Sequence, residues 1–552
     1  MKTFQPKILT ALKGYTPQKF LNDFVAGIIV AIIALPLSIA LAIASGVNPE
    51  QGLYTAIAGG FVIALLGGSR VNISGPTAAF ATIVAGIVAT YKIDGLIVAT
   101  IMAGLILILM GICRLGTLIK YIPYTITTGF TSGIAVTIVI GQLKDFLGLV
   151  YPAGTENVET LDKLKNVIRN LSGVNPGAVM VGVVALIILI VWPYLSKKIP
   201  GSLIVVLLGA AVVKLCSLDV LTIGKIYTIT PGVPHFHAPQ VSFALVKELL
   251  PSAFTIAVLA AIESLLSCVV SDGMVGSHHN SNTELIAQGC GNIASALFGG
   301  IPATGAIART AANVKNGGRT PVAGIVHALT LLLVMALLMP YASLIPMPVI
   351  AAILIMVAYN MSEWRHFLDI CRTAPKSDII VLLVTFVLTV CFDLVVAIEV
   401  GLVMAAFLFM KRMSDVTEVR KWTYASEDDS HIGQDELHGL KKVPKGVIVY
   451  EVNGPMFFAA ADKFINIPIS ENDRVVIIRM RNVPAMDATA MRNLTNAYRA
   501  CEKNGITMIL SHVNEQPKNA MVKAGFTEMV GEENFCANID ESLERARLLV
   551  EK

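Results

Sequence analysis

The sequence predicts a polytopic α-helical membrane protein of fourteen transmembrane segments in a 7+7 inverted repeat, followed by a small cytoplasmic α/β domain. Three observations predict it. The 552 residues are 55% hydrophobic and only 14% charged, with mean hydropathy +0.71; soluble domains carry about 25% charged residues. Stretches without a single Asp, Glu, Lys or Arg recur from Phe24 to about Met410, and a spanning helix needs about 20 mostly apolar residues. After Lys411 the chain turns polar and charged.

Taken in order, residues 1–22 are polar and basic (Lys2, Lys7, Lys13, Lys19), and no small-residue cleavage site follows the first apolar run. That run is therefore the first span, and residues 1–22 form a cytoplasmic N-terminal segment. The uncharged stretches Phe24–Pro49, Gln51–Ser69, Val71–Tyr91, Gly95–Cys113, Tyr121–Gln142 and Pro321–Ser362 hold one or two crossings each, with Pro or Gly at the turns. The membrane domain is expected to cover 23–412. One repeat lies at about 23–216 and the other at about 243–412, on either side of the polar segment Ser217–Gln240.

Basic residues favour the cytoplasmic side. With fourteen crossings, Arg114 and Lys120, Lys197 and Lys198, Lys315 and Arg319, Arg365, Arg372 and Lys376, and Lys411 and Arg412 all share one side with the N-terminal lysines. The loop Tyr151–Asn175 falls opposite, although Lys163, Lys165 and Arg169 weaken its signal. Both termini are expected in the cytoplasm of a bacterial inner-membrane protein. Seven spans per half place the halves in opposite orientations. Residues 413–444 read as a charged linker. In 445–552, short β-rich runs (Val447–Val452, Val475–Met480, Ile506–Leu510) surround a helical stretch from about Asp487 to Lys503.

The net charge of +4 is small and dispersed, which excludes a nucleic-acid partner, and the eight cysteines contain no CxxC pair. No nucleophile–base pair, metal set, P-loop or cofactor loop stands out. The chain is expected not to be an enzyme and to need no cofactor or metal. His278-His279 has no spaced ligand partner and reads as a polar loop.

Two places break the helix rules at matching points of the halves. Gly67-Gly68-Ser69 leads into Ser74-Gly75-Pro76-Thr77-Ala78-Ala79-Phe80, and Gly299-Gly300 leads into Thr304-Gly305-Ala306-Ile307-Ala308-Arg309. Each reads as a half-helix starting inside the membrane. Its first N–H groups lack intrahelical partners and its dipole attracts an anion, with Ser74 and Thr304 as expected N-caps. Small residues let a small anion reach the backbone. Gly and Pro also serve close packing of membrane helices, but the matched placement favours a substrate cradle.

Charge inside the membrane is the second clue. Glu263 lies in the apolar segment Phe254–Val270, and Arg309 lies just inside the second half-helix. Burying either in the bilayer costs about 2.5–3.5 kcal/mol on insertion scales, so such residues mark pathways. Glu263 is the candidate proton carrier and Arg309 a fixed positive charge for the anion; a purely structural Glu263–Arg309 pair is the alternative. Ser267, one turn beyond Glu263, is a secondary candidate. Asp393 and Glu399 read as structural or interfacial.

These residues make the sequence similar to the SulP anion-transporter family (solute carrier family 26). The resemblance rests on Ala34-Leu35-Pro36, Gly52-Leu53-Tyr54, Gly67 to Arg70 through Gly75-Pro76-Thr77, and Ile262 to Leu266. It continues in Asn280-Ser281-Asn282 with Glu284-Leu285, Gln288-Gly289, Gly291-Asn292 and Gly317 to Thr320. Ala306 to Arg309, Ala311 to Val314 and Asn360 to Glu363 look closest to the enterobacterial C4-dicarboxylic acid transporter branch.

The resemblance implies core and gate domains with an elevator-like motion. It also implies a substrate site between spans 1, 3, 8 and 10, which makes Pro36 a further secondary candidate. A C-terminal STAS domain open to a cytoplasmic regulator, and a homodimer, complete what it implies. Gly75 to Phe80 and Gly305 to Ala308 would form the cradle, with Glu263 and Arg309 at the span-8 acidic and span-10 basic positions. Sodium-coupled bicarbonate members carry Asp and Thr where this chain has Glu263 and Ile307. Ile307 offers no oxygen to a hard cation, so proton coupling is expected. Asp487 is followed by Ala488 instead of the Ser that related domains phosphorylate.

The function expected is proton-coupled symport of a C4-dicarboxylate or sulfate across the lipid bilayer. Anion exchange or bicarbonate uptake is the near alternative, and an anion sensor or channel the different class.

Overall fold

Inside a bilayer each backbone N–H and C=O must find a protein partner, so apolar stretches become helices and any uncoiled piece needs dedicated polar side chains. The computed structural model describes residues 4–117, 123–152, 159–196, 200–229, 233–239, 242–392, 394–421, 443–458 and 473–551. The chain falls into two units, Met1–Leu402 and Val403–Lys552.

The first unit opens with α1 (Lys7–Ala11) and α2 (Pro17–Ala44). The second crossing joins α3 (Pro49–Tyr54) to α4 (Gly60–Leu66) through a π-helical turn, Thr55–Gly59. A two-residue strand, β1 (Ser74–Gly75), and a 3₁₀ turn, Ala78–Phe80, precede α5 (Ala81–Ile112), which bends at Lys92 into two crossings. Then come α6 (Tyr124–Leu147), α7 (Thr160–Arg169), α8 (Pro176–Leu195), α9 (Gly201–Leu215) and the short α10 (Ile223–Ile226).

The second half repeats the order with α11 (Phe243–Val275), α12 (Ser281–Leu297), β2 (Thr304–Gly305), α13 (Ile307–Lys315) and α14 (Val322–Leu338). It ends with α15 (Met347–Ser362), α16 (Trp364–Thr373), α17 (Lys376–Cys391) and α18 (Leu394–Val416). Among the described residues seven helices are individually long and apolar enough to span. The bent α5 and the shorter or broken helices complete fourteen crossings.

The inverted repeat is visible in the packing. β1 and β2 pair antiparallel, Ser74 with Gly305 and Gly75 with Thr304. Helix contacts occur in exchanged pairs: α5 on α12 answers α4 on α14, α5 on α11 answers α2 on α14, and α6 on α17 answers α8 on α15. Helices α2–α5 and α11–α14 form one bundle; α6, α8, α9, α15 and α17 form the other. At the α5–α12 contact a Cβ on Gly104 would stand 2.7 Å from the Gly289 carbonyl, and one on Gly289 2.5 Å from the Gly104 carbonyl. Only glycine permits that approach, as at small-residue interfaces of membrane helices generally.

Asp23, fully buried at the start of α2, ties the first crossing to the α13–α14 turn. Its carboxylate accepts from the N–H groups of Arg319 (2.7 Å) and Thr320 (3.2 Å), Thr320 Oγ1 (2.5 Å) and the Tyr15 hydroxyl (2.8 Å).

In the second unit, β3 (Glu418–Lys421), β4 (Val447–Asn453), β5 (Val475–Asn482), β6 (Thr507–Ser511) and β7 (Phe535–Cys536) form one sheet in that order. β3 runs antiparallel to β4, and the other pairs are parallel. Alternation along β4 sends Ile448, Tyr450 and Val452 to one face, under α19 (Ala488–Lys503), α20 (Glu515–Lys523) and α21 (Phe526–Val530). Val447 and Val449 lie on the other, under α22 (Ile539–Val550). Asp487 caps α19 through the Ala490 N–H (2.8 Å) and also accepts from the Phe458 N–H (2.8 Å).

Two expectations shift here. The linker expected at 413–444 begins later, because α18 continues to Val416 and β3 uses 418–421 as the sheet's edge strand. The acidic stretch with Glu427, Asp428, Asp429, Asp435 and Glu436 lies outside the described residues, as do Lys120, Lys197, Lys198 and Asp393.

Removing Asp23 strands four donors, three of them in the α13–α14 turn, whereas Tyr15→Phe removes one donor only. Asp23→Ala should cost about 3 kcal/mol and Tyr15→Phe about 1 kcal/mol. Melting of the purified protein in detergent should therefore fall clearly for the first and slightly for the second.

Candidate functional site

The paired strands β1 and β2 cross between α2, α11 and the two half-helices, and each uncoiled segment is held by the second crossing of the opposite repeat. On α12, fully buried Glu284 accepts from the N–H groups of Gly68 (2.8 Å) and Ser69 (3.1 Å), from Asn72 Nδ2 (2.8 Å) and from Gln288 Nε2 (3.0 Å). Within its own repeat, Asn292 of α12 also donates to the Ala303 carbonyl and accepts from the Ala303 N–H (2.8 and 2.9 Å). In return, Gln51 on α3 donates to the Gly299 carbonyl (2.9 Å). Thr55 bonds the Ile301 carbonyl and N–H (3.1 and 2.7 Å).

That network corrects part of the expected cradle. Ser74 and Thr304 are not N-caps, because the helices begin later: the residues preceding them are Thr77 and Ala306, both extended. Ser74 Oγ instead accepts from Gln288 Nε2 (3.0 Å). Thr304 Oγ1 pairs with Ser264 Oγ (2.7 Å) and donates to the Ala260 carbonyl (3.1 Å). Ser267 is likewise fully buried, donating to Asn72 Oδ1 (2.7 Å). Other buried polar side chains and a helix carbonyl already engage these hydroxyls, so the three serve the scaffold.

The remaining predicted residues do converge. The first intrahelical bond of α13 runs from the Thr310 N–H to the Ala306 carbonyl (2.8 Å), leaving the N–H groups of Ile307, Ala308 and Arg309 outside the ladder. Ile307 and Ala308 are exposed and Ala306 half-exposed, so this end is open. Across from it, Gly75, Pro76, Ala78, Ala79 and Phe80 are buried and Thr77 half-buried. Thr77 donates to Glu263 Oε2 (2.9 Å), itself half-buried on α11.

Arg309 is 3% exposed. Its Nη2 donates to the Pro76 carbonyl (3.1 Å) and reaches Ser38 Oγ of α2 at 3.5 Å, while Nη1 is buried without a partner. No ion pair joins Arg309 to Glu263, which disposes of the structural-pair alternative. Gly75 is required here, since a Cβ on it would stand only 2.4 Å from Arg309 Nη1. Pro36 is buried inside α2, two residues before Ser38.

Sequence reasoning missed the roles of Glu284, Gln288 and Asn292, although their spacing of four puts them in one polar row along α12. It also missed Ser38, Asn72 and His327. The last is buried on α14 with Nε2 unpartnered. A lone Asn or His in an apolar run carries no comparable pattern.

An open helix N-terminus, a buried guanidinium with a spare donor and a carboxyl group held by a threonine suit the binding of a small oxyanion together with a proton.

A sequence profile of the Sulfate permease family matches residues 20–385, and one of the STAS domain matches residues 440–546. The Bacillus subtilis protein named "Putative sulfate transporter YvdB" is 38% identical over 536 residues, covering 96% of this chain and 98% of its own. The bicarbonate transporter BicA of Picosynechococcus is 33% identical over 493 residues, 86% of each chain. The solved transmembrane domain of a cyanobacterium BicA matches with TM-score 0.64 at 32% identity, over 70% of this chain and 98% of that one. The structure of SLC26A9 matches with TM-score 0.87 at 19% identity, over 99% of this chain and 93% of that one, a likeness of fold.

Gly75→Ala should displace the Arg309 guanidinium while sparing the fold, since the obstructing atom ends a flexible side chain. Sulfate titrated against melting temperature should show affinity lowered about tenfold, or about 1.4 kcal/mol.

Proposed function

The chain belongs to the sulfate permease family, and from that premise we propose that it is a proton-coupled secondary carrier of a small oxyanion, sulfate or a C4-dicarboxylate. It works in a bacterial cytoplasmic membrane with both termini in the cytoplasm. The observation that carries this reading is Arg309: a buried guanidinium with, among the described residues, an unpartnered Nη1 and no acidic partner, beside the open N-terminus of α13. A fixed positive charge and the helix dipole act together on one anion there. Glu263 takes the proton. It faces the same region through Thr77, and a neutral carboxylic acid is far less costly to carry through a low-dielectric site than a charged one. Movement of the α2–α5/α11–α14 bundle against the other, in the manner of an elevator, exposes the site alternately.

A second reading, bicarbonate uptake, is favoured by the likeness to BicA. Sodium coupling of it is disfavoured, because Ile307 supplies no oxygen ligand at the start of α13.

Proteoliposomes loaded at high pH and diluted into low pH should accumulate labelled sulfate or succinate. Glu263→Gln should abolish that accumulation yet retain exchange of anion for anion. Arg309→Ala should raise KM about tenfold or more, the loss expected of charge-assisted hydrogen bonds. Full gradient-driven uptake by Glu263→Gln removes the proton role. Counterflow by bicarbonate alone selects the second reading.

A further inference from the structure

Between α15 and α17, two crossings of the second bundle, the ten-residue helix α16 carries four kinds of residue in order around its circumference. His366, Phe367 and Ile370 are on the bundle side: exposed His366 packs edge-on to Tyr124 (5.2 Å), half-buried Phe367 lies tilted against Phe386 (5.3 Å), and Ile370 is 8% exposed. Next round the helix stand Trp364 and Leu368, which are 45% and 41% exposed. Beyond them come Arg365 and Arg372, and last Asp369 and Thr373, all exposed. Trp364, Leu368 and Arg372 form a single row at four-residue spacing, with Arg365 beside it. Arg365 lies against the Trp364 ring (5.5 Å).

We propose that α16 is an interfacial helix that binds the anionic headgroups of the surrounding bilayer and fixes the second bundle in the membrane plane. The sequence of faces is bundle, apolar, basic, acidic. That is the order a helix lying in the boundary meets, from protein to acyl chains to headgroups to water. A tryptophan with an indole N–H directed at a hydroxyl, here Trp364 Nε1 to the Tyr359 Oη at 3.4 Å, suits the headgroup level. The two arginines are on the edge next to the apolar row, while Asp369 is turned from it, so the charge nearest the lipid is positive. Lys376, at the start of α17, adds to it. A soluble acidic protein does not fit as well, because Trp364 and Leu368 would have to leave the acyl boundary to meet it.

The chain has three tryptophans, so the full-length variant Trp192→Phe/Trp422→Phe leaves Trp364 as sole reporter. It is placed in vesicles with either brominated phosphatidylglycerol or brominated phosphatidylcholine at equal mole fraction. Trp364 emission should be quenched by both and more strongly by the anionic lipid. That preference should fall about fivefold for each of Arg365→Gln and Arg372→Gln, the loss of about 1 kcal/mol per basic residue, and should weaken at high salt. Melting curves establish that the variants are folded. Emission at the aqueous wavelength without quenching overturns the interfacial placement. Equal quenching by the two lipids, or a preference that survives both substitutions, overturns the headgroup site.

Discussion

The structure depends on satisfying two uncoiled stretches of backbone within a membrane. Each is held by side chains from the opposite repeat, Glu284 and Gln288 on α12 clasping residues 68–74 and Gln51 and Thr55 on α3 and its π turn clasping 299–301, while Asn292 on α12 holds Ala303 of its own repeat. Free carbonyls and amides in hydrocarbon cost several kcal/mol apiece. The clasp is therefore what allows the helices to break at all. Its reciprocity follows from the inverted repeat, in which the same crossing faces the other half's gap.

The clasp also decides what is left for a substrate. Ser74 is consumed by it, and Thr304 and Ser267 by the neighbouring Ser264 and Asn72. What remains is the open start of α13, the spare donor of Arg309 and the Thr77–Glu263 pair. Gly75 matters because a backbone without Cβ leaves room for the guanidinium beside β1. A scaffold that takes the hydroxyls and leaves N–H groups and one cation binds by charge and size.

Much of this was legible in the residues. Charge-free runs gave the crossings, the jump in polarity after Lys411 gave the soluble C-terminal part, and short β-rich runs gave β4, β5 and β6 to within a residue or two. The matched Gly-Gly breaks located β1 and β2. Less legible was where each half-helix starts. Serine and threonine before glycine look like caps by composition, yet a cap exists only if its hydroxyl is free, and Gln288 and Ser264 had already engaged them. The linker boundary failed for a similar reason: Glu418–Lys421 is polar on its own and becomes a strand only because β4 offers an edge.

The sequence by itself determined that the chain crosses a membrane many times, that it breaks two helices in register, and that Glu263 and Arg309 stand in apolar surroundings, because transfer costs are local properties of a segment. Only the tertiary structure decided that Glu263 answers to Thr77 and Arg309 to Pro76, with no bond between the two charges. Those partners are 186 and 233 residues apart in the chain. They meet only because the repeats interlock, and no periodicity or spacing along the sequence encodes that.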